Sequence, residues 1–312
     1  MNAWKVVGAC LAAIALLALG AQCIFDSILA TSSYVSSPPL AIRAIDHRWP
    51  TALRFLLRLG VDPDSAAPPS RGGFAGSPGL PGAPALVKAA GGDEPEMVRD
   101  LLAAGAHVNA PDDYGRTALW FACEGRDLQL VQTLVEAGAR VNPAAGSGDS
   151  PLEKAIQARQ LEIVRYLISK GADLGDRSTR SLPLMVQAAH TGDLAIFDLL
   201  IERGKTTPTK GPLAAEILAA FVTSGSVEGV RSLLNRGISP NEQDHIGNTA
   251  MIIAAISSRK ALPRQAIIRA LLDAGGDPHL KRNVDNKCAI DFARANEDAE
   301  TVSILERATR PR

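Results

Sequence analysis

Seven glycines divide the chain at nearly regular intervals, and their spacing constrains the fold more than any other feature. They are Gly60, Gly105, Gly138, Gly171, Gly204, Gly237 and Gly275. The successive intervals are 45, 33, 33, 33, 33 and 38 residues. Self-similarity at a period of about 20–50 residues is typical of solenoids and propellers. The four equal intervals therefore indicate a repeated structural unit rather than one irregular core.

Each unit carries two short apolar segments with helix signals. The first reads "GRTALWFACEG" from Gly115, "GDSPLEKAIQA" from Gly148 and "GNTAMIIAAIS" from Gly247, where Thr or Ser after the turn can cap a helix. The second segment has apolar residues at helical spacing, for example Leu128, Val131, Leu134 and Val135. The closing glycine suits the left-handed residue that ends a helix. The pattern predicts an all-α fold of helix-turn-helix units.

This pattern resembles the ankyrin repeat, a helix pair with a period of about 33 residues. Eight units align over residues 39–308, and residues 309–312 form a tail. The family's Thr-Pro-Leu-His element is altered, because its histidine is replaced by Trp120, Glu153 and Ile252 in the three clearest copies. The resemblance implies an ankyrin-repeat solenoid of about eight units that binds other proteins.

Two insertions interrupt the period. The longer one adds 45 − 33 = 12 residues and falls in the Pro/Gly/Ser-rich stretch 65–84, which cannot form a helix. We expect an extended loop there, which is either a passive linker or a binding loop. The shorter insertion adds 38 − 33 = 5 residues, which we place near residues 257–264, between the two helices of the seventh unit.

The N-terminal segment 6–25 contains no charged residue and is long enough to cross about 30 Å of hydrocarbon. Lys5 in the short region 1–5 precedes it and Asp26 follows it, which favours a cytoplasmic N-terminus. We expect a single-pass signal anchor that holds the repeats outside the cytoplasm, in the periplasm of a bacterium, with residues 26–38 as a spacer. A cleaved signal peptide, leaving a secreted or periplasmic protein, is the alternative.

The sequence contains no motif for catalysis or for binding a cofactor or a metal. Its five histidines lack zinc-ligand spacing, and no nucleophile elbow, phosphate loop or dinucleotide fingerprint occurs. The formal net charge of zero argues against a broad nucleic-acid footprint. We expect a non-enzymatic protein without a small-molecule substrate, since no span outside the repeats would hold a catalytic domain. Cys123 and Cys288 lie in distant units, so no disulfide between them is expected.

In the ankyrin family, partners are usually held by turn tips and by the exposed face of the first helix. Carried onto this chain, the candidate partner-binding residues are Asp113, Tyr114, Arg116, Trp120 and Glu124 in the third unit, Asp149 and Gln157 in the fourth, His190 and Thr191 in the fifth, and His245, Ile246 and Asn248 in the seventh. Tyr114 beside Arg116 is the strongest candidate, because Tyr and Arg are enriched among interface anchors. Trp120 either joins them or packs in the core. Asp112 and Asp244 are expected to brace the turns.

The function predicted from these features is a protein-protein interaction module held at a membrane or exported across it. Two alternatives share the binding chemistry. One is a secreted effector that binds a host protein, which requires cleavage of the apolar segment. The other is a periplasmic immunity or protective protein that inhibits or shields an exported enzyme. The sequence does not identify the partner, and the repeat fold by itself is compatible with all three.

Overall fold

The computed structural model describes residues 39–66, 83–142, 150–175, 183–204, 208–257 and 263–308. These ranges contain helices and turns but no β-strand. The predicted membrane segment 6–25, the spacer 26–38, the tail 309–312, most of the 65–84 loop and Asp149 lie outside them. No helix within the described ranges is both long and apolar enough to span a membrane.

The helices of the described residues form eight consecutive pairs joined by short connections. They are α1 (Leu40–Asp46) and α2 (Pro50–Arg58), α3 (Ala85–Gly91) and α4 (Pro95–Ala103), α5 (Ala118–Ala122) and α6 (Leu128–Glu136), α7 (Pro151–Gln157) and α8 (Leu161–Ser169), α9 (Leu184–Thr191) and α10 (Leu194–Glu202), α11 (Pro212–Ser224) and α12 (Val227–Asn235), α13 (Ala250–Ile256) and α14 (Arg264–Asp273), and α15 (Ala289–Ala295) and α16 (Ala299–Ala308). The predicted all-α, helix-turn-helix architecture is confirmed.

The chain divides into two compact units, Met1–Arg140 and Val141–Arg312. In the first unit, α1 packs on α3 and α3 on α5, while α2, α4 and α6 form a second row. In the second unit, the first helices α7, α9, α11, α13 and α15 pack successively in one row. The second helices α12, α14 and α16 pack on one another, as do α8 and α10. Each unit is therefore a stack in which a helix pair contacts its sequence neighbours, as expected of a solenoid.

All seven closing glycines adopt positive φ, as predicted. Their values range from 83° at Gly171 to 106° at Gly204. Each glycine follows the last residue of a second helix by two positions, where a left-handed conformation allows the last carbonyls to be satisfied. An L side chain would be strained in this conformation, and the recurrence of glycine at this point is thereby explained.

The predicted caps of the first helices are also confirmed. The Thr117 hydroxyl accepts from the Trp120 backbone N–H at 3.4 Å, and the Thr249 hydroxyl accepts from the backbone N–H three residues on at 3.3 Å. Ser150 and Glu153 form a full capping box, each side chain accepting from the backbone N–H of the other. These bonds satisfy backbone donors that a helix start leaves unpaired.

The buried face of α6 differs from the predicted stripe. Leu130, Val131 and Leu134 are buried, whereas Leu128 and Val135 are only partly covered. Leu128 is the first residue of the helix, so its side chain lies at the edge of the packed layer. Helical spacing correctly predicted that Val131 and Leu134 are buried. It wrongly included Leu128 and Val135 in the buried face and omitted Leu130.

An asparagine four residues after a closing glycine links consecutive helix pairs, a feature that the sequence pattern did not predict. Asn109 Nδ2 donates to the Gly138 carbonyl at 3.0 Å, and Asn109 Oδ1 accepts from the Arg140 N–H at 2.8 Å. Asn142 makes the same two bonds to the loop that closes the fourth unit, and Asn241 makes them to the loop at Gly275. Each asparagine therefore fixes the spacing between its own loop and the next.

The ends of the 65–84 loop pair with each other. Ala66 and Pro84 form an isolated antiparallel bridge, and the Ala85 N–H donates to the Ser65 carbonyl at 2.8 Å. Ala83 is fully buried beside them. The loop is thus closed at its base, while its function as a linker or as a binding loop stays a prediction. The shorter insertion falls between the end of α13 and the start of α14.

Candidate binding surface

The turn that precedes α5 is organised around one buried carboxylate. The Asp112 side chain is fully buried and accepts from the backbone N–H groups of Tyr114 and Arg116 at 3.0 and 2.8 Å. It also forms an ion pair with the Arg116 guanidinium, with Nε at 2.8 Å and Nη2 at 2.7 Å. Charge-assisted bonds of this kind are stronger than neutral ones. The predicted bracing role of Asp112 is confirmed.

Arg116 is enclosed by aromatic rings. Its guanidinium carbon lies 4.9 Å from the ring centre of Tyr114, 5.3 Å from that of Trp120 and 4.7 Å from that of Phe121. These distances fall within the range of cation–π attraction. Arg116 is therefore held by its own turn, with 27% of its side chain exposed. Because the ion pair and the rings hold Arg116 against the turn, Tyr114 is the more exposed of the two residues.

Tyr114 is exposed at 66% and lies at the tip of the turn. Trp120 is half-buried, with its ring edge against Phe121 at 4.9 Å, so it supports the tip from below and keeps some exposed surface. Asp113 and Glu124 are also exposed. Tyr114, Arg116 and Trp120 thus form a local group, in which Tyr114 is the most exposed residue.

The turn before α13 repeats this construction with different side chains. Asp244 accepts from the backbone N–H groups of Ile246 and Asn248 at 3.0 and 2.8 Å, which confirms its predicted bracing role. Ile246 occupies the tip, like Tyr114, and is exposed at 48%. Both turns therefore place one large apolar side chain in solvent above a carboxylate that fixes the backbone.

The structure places Asn248, a predicted partner contact, inside its turn, where little of its side chain is open to a partner. Asn248 is only 8% exposed, and its Nδ2 donates to Asp244 Oδ2 at 2.9 Å. It occupies the turn position of Arg116, where the side chain points inward to the bracing carboxylate. The asparagine side chain is too short to extend beyond the turn. The longer side chain of Arg116 does extend partly into solvent.

The remaining candidates of the second compact unit lie at separate points. His245 is exposed and its Nε2 is 3.2 Å from Glu216 Oε1. His190 lies at the end of α9, with Nδ1 3.4 Å from Thr223 Oγ1. More than a third of the residue is exposed, and desolvation of the part that is covered lowers the pKa of its imidazole. Thr191 is half-buried and donates to a carbonyl of its own helix at 2.7 Å.

Gln157 is exposed at the end of α7 and donates to Gln187 Oε1 at 3.4 Å. Gln187 in turn donates to Glu153 Oε1 at 3.3 Å, so a polar chain crosses from α7 to α9. Glu153 and Gln187 are both 8% exposed. The prediction at Asp149 lies outside the described residues.

Val284 is a tip residue that sequence reasoning missed. It is exposed at 68%, and the N–H of the preceding Asn283 donates to the Ile246 carbonyl at 3.2 Å, so the two tips are adjacent. The turn carries one extra residue, because the Arg282 N–H bonds the Lys287 carbonyl five positions on, whereas the Asp244 N–H bonds a carbonyl four positions on. Because of this extra residue, the sequence pattern did not show that Val284 is equivalent to Ile246.

The two cysteines of the described ranges are both buried. Burial raises the pKa of the Cys123 thiol far above its usual range. Cys288 is also buried, and its Sγ donates to Asp291 Oδ2 at 3.2 Å. No group of three or more histidine, cysteine or carboxylate side chains suited to a metal ion occurs in the part of the chain that the structure describes.

Comparison with known proteins identifies ankyrin repeats in two stretches of the chain. An ankyrin-repeat family model of three copies matches residues 81–178, and a second ankyrin-repeat model matches residues 217–262. No curated protein matches the sequence. The crystal structure of the human ASB11 ankyrin repeat domain is similar, with a TM-score of 0.48 and 20% identity, covering 88% of this chain and 100% of that one.

The chain contains ankyrin repeats over these two stretches, as its period, glycines and helix pairs predicted. Ankyrin repeats are protein-protein interaction modules, and proteins built from them are generally not enzymes. This protein is therefore an interaction module whose exposed turn tips and first-helix ends are its candidate contacts.

Proposed function

We propose that the chain binds a protein partner through its turn tips, with Tyr114 as the principal contact. The observation that carries this proposal is the exposure of Tyr114 at 66% on a turn whose backbone is fixed by the buried Asp112 carboxylate. A large aromatic side chain on a turn that is already ordered loses little conformational entropy when a partner covers it. Tyrosine is also one of the residues that dominate interface energetics.

We propose further that residues 6–25 anchor the chain in a membrane and that the repeats lie outside the cytoplasm. The support is the length of the uncharged segment and the order of Lys5 and Asp26 around it. The mechanism is presentation of a rigid repeat surface to a partner in the same compartment. N-terminal sequencing of the mature protein tests the anchor, since a cleaved N-terminus would instead favour the secreted or periplasmic alternative.

Affinity capture from envelope extracts tests the binding surface. We expect Tyr114→Ala to weaken recovery of a specific partner by about tenfold or more, because truncating a dominant interface anchor costs about 2 kcal/mol or more, and about 1.4 kcal/mol is already tenfold. The matched control is Gln129→Ala, which changes an exposed residue of α6 away from the tip. Arg116→Ala is less informative, since it also removes the Asp112 ion pair. Equal recovery of every partner by Tyr114→Ala and the control would contradict the proposal.

A further inference from the structure

The first helix pair exposes apolar side chains at positions that most other units cover or fill with a small or cationic residue. Leu40 begins α1 and is exposed at 46%. The residue that begins the first helix is buried in six other units, at Ala85, Ala118, Pro151, Leu184, Ala250 and Ala289. Among the described residues, α1 and α2 have a neighbouring pair on one side only, formed by α3 and α4. The exposure of Leu40 accords with the lack of a second neighbouring pair among the described residues.

Leu56 shows the same effect on α2. It lies four residues before the closing Gly60 and is only partly buried. The leucines at the equivalent point of the later units are fully buried, at Leu101, Leu134, Leu167, Leu200, Leu233 and Leu271. The first pair therefore ends the stack with an apolar surface, whereas a terminal repeat that faces water normally carries a polar one.

Leu59 adds apolar surface at a position where the following six units carry a small or cationic residue. It directly precedes Gly60 and is exposed at 63%. The equivalent residues are small or cationic, namely Ala104, Ala137, Lys170, Arg203, Arg236 and Ala274. A short connection of residues 47–49 joins α1 to α2, so the start of α1 and the end of α2 lie at the same end of the pair. We call Leu40, Leu56, Arg58 and Leu59 the entry surface.

The chain outside the structure reaches the fold at this surface. Residues 26–38 join α1 at Pro39, and they span at most about 45 Å when fully extended. The uncharged segment 6–25 precedes them. If that segment is in a membrane, the entry surface is the part of the described fold that is tethered nearest to the bilayer.

The charge of the first pair fits an anionic lipid surface. The first helix pair and its connection, residues 40–58, carry four arginines, Arg43, Arg48, Arg54 and Arg58, against one carboxylate, Asp46. Arg48 and Arg54 bond to acidic residues of the next unit, Glu94 and Asp100. Arg58 is exposed beside Leu59 and has no ion pair within the described ranges. Leucine flanked by arginine is typical of surfaces that rest in the headgroup region.

We infer that the entry surface docks on an anionic membrane, with Leu40 and Leu59 at the acyl boundary and Arg58 on lipid phosphates. This inference rests on the proposed anchor, and it adds a second contact that orients the repeats relative to the bilayer. The tether brings the surface to the membrane, and the contact then removes the exposed leucines from water.

A fluorescent probe at Leu59 tests the docking. The full chain is reconstituted in nanodiscs of anionic lipid, with Cys10→Ala and Cys23→Ala so that Cys123 and Cys288, which are buried, are the remaining thiols. Leu59→Cys carries the label, and Ala137→Cys is the matched control at the equivalent exposed position of the third unit. Brominated acyl chains should remove roughly half of the emission at position 59, since surface-docked residues reach about 5–10 Å into the boundary. Position 137 should keep its emission.

The charge is tested separately in the same discs. Arg58→Glu should lower the quenching at position 59, whereas Arg99→Glu, which changes an exposed arginine on α4, should leave it unchanged. Discs of zwitterionic lipid should give weaker quenching than anionic discs. Equal quenching in both lipids, or equal effects of the two charge reversals, would overturn the anionic docking.

The outcomes separate docking from anchoring. A chain that enters the discs but shows no quenching at position 59 overturns the docking and leaves the anchor intact. A label shielded from both lipid and aqueous quenchers also overturns it, because a protein segment then covers the entry surface. A chain that does not enter the discs refutes the anchor. In that case the docking is tested by adding anionic nanodiscs to the free labelled chain. If the label at position 59 stays unquenched, the docking is overturned.

Discussion

Two aspartates in equivalent turns hold the tips that we propose as contacts. Asp112 and Asp244 each accept from backbone N–H groups two and four residues on, and each has a large apolar residue above it. The side chain at the fourth position differs, and that difference changes the surface. Arg116 adds a cation held between aromatic rings, whereas Asn248 closes the turn with a single amide bond. One backbone design therefore presents two different surfaces.

Replacing the bracing aspartate tests its structural role. We expect Asp112→Ala to lower the free energy of unfolding by about 2–4 kcal/mol, because it leaves Arg116 and two backbone donors without their partner. Asp113→Ala, which removes the exposed neighbour, should change it by less than about 0.5 kcal/mol. Urea unfolding followed by circular dichroism measures both. Similar midpoints for the two variants would contradict the bracing role.

His190 predicts a pH dependence of stability. Its partial burial lowers the pKa of the folded imidazole below that of the unfolded chain, which is about 6.5. The unfolded state then binds the proton more readily, so this contribution to stability is present above about pH 6.5 and is lost as the pH falls through the lower folded pKa. His190→Gln should reduce the loss of thermal stability between about pH 7 and pH 5. The exposed His279→Gln is the control, and an equal change in both variants would refute the prediction.

At the scale of the helix pair, α11 and α12 touch through a glycine. A Cβ on Gly229 of α12 would overlap the ring of Phe221 on α11. Phe221 is itself fully buried edge-on against Phe197, with ring centres 5.1 Å apart at 81°. The ring has no room to move away, so the close approach of these helices depends on the missing side chain.

We expect Gly229→Ala to destabilise the second compact unit by about 1–3 kcal/mol, because overpacking a dense core forces side chains off their rotamers. This would occur although alanine is the better helix former. Glu228→Ala, one residue earlier and exposed, is the control and should be close to neutral. Thermal unfolding measures both. A gain in stability for Gly229→Ala would show that α12 can shift outward.

The helix pairs and their boundaries could be predicted from the sequence because their signals are local. Glycines at positive φ and the caps at Thr117 and Ser150 depend on residues within one turn of each other. The bracing of the turns by Asp112 was equally accessible, since its partners are two and four positions away.

Features that depend on neighbouring units were not accessible in this way. The tip at Val284 was hidden by one extra residue, and its proximity to Ile246 arises from a bond between two turns. The asparagine bridges join residues about 30 positions apart, a separation that no helical or strand period reveals.

At the scale of the whole molecule, each compact unit is a stack in which stability depends on nearest neighbours. The last pair, α15 and α16, packs on α13 and α14 and has no further pair beyond it among the described residues. Only Thr301 and Leu305 are buried on α16, whereas α14 buries four residues.

The rate of backbone hydrogen exchange should therefore decrease from the last helix pair toward the interior of the second unit. We expect backbone amides of α16 to exchange faster than those of α14 under native conditions, because a terminal pair opens without disrupting neighbours on both sides. Native-state exchange followed by mass spectrometry measures this order. Equal protection of α14 and α16 would mean that the unit opens as a whole.

The asparagine bridges also bear on how the length of such a chain changes during evolution. Each bridging residue, such as Asn109 or Asn241, reaches only the loop of the next helix pair, so these bridges join sequence neighbours and no more distant unit. Gain or loss of a whole block from one closing glycine to the next would leave the contacts in register. An addition of any other length must lie in a connection, as the stretch 65–84 does, where its ends can close on each other. Genes for this architecture should therefore vary by whole repeats or by loop insertions, and seldom within a helix.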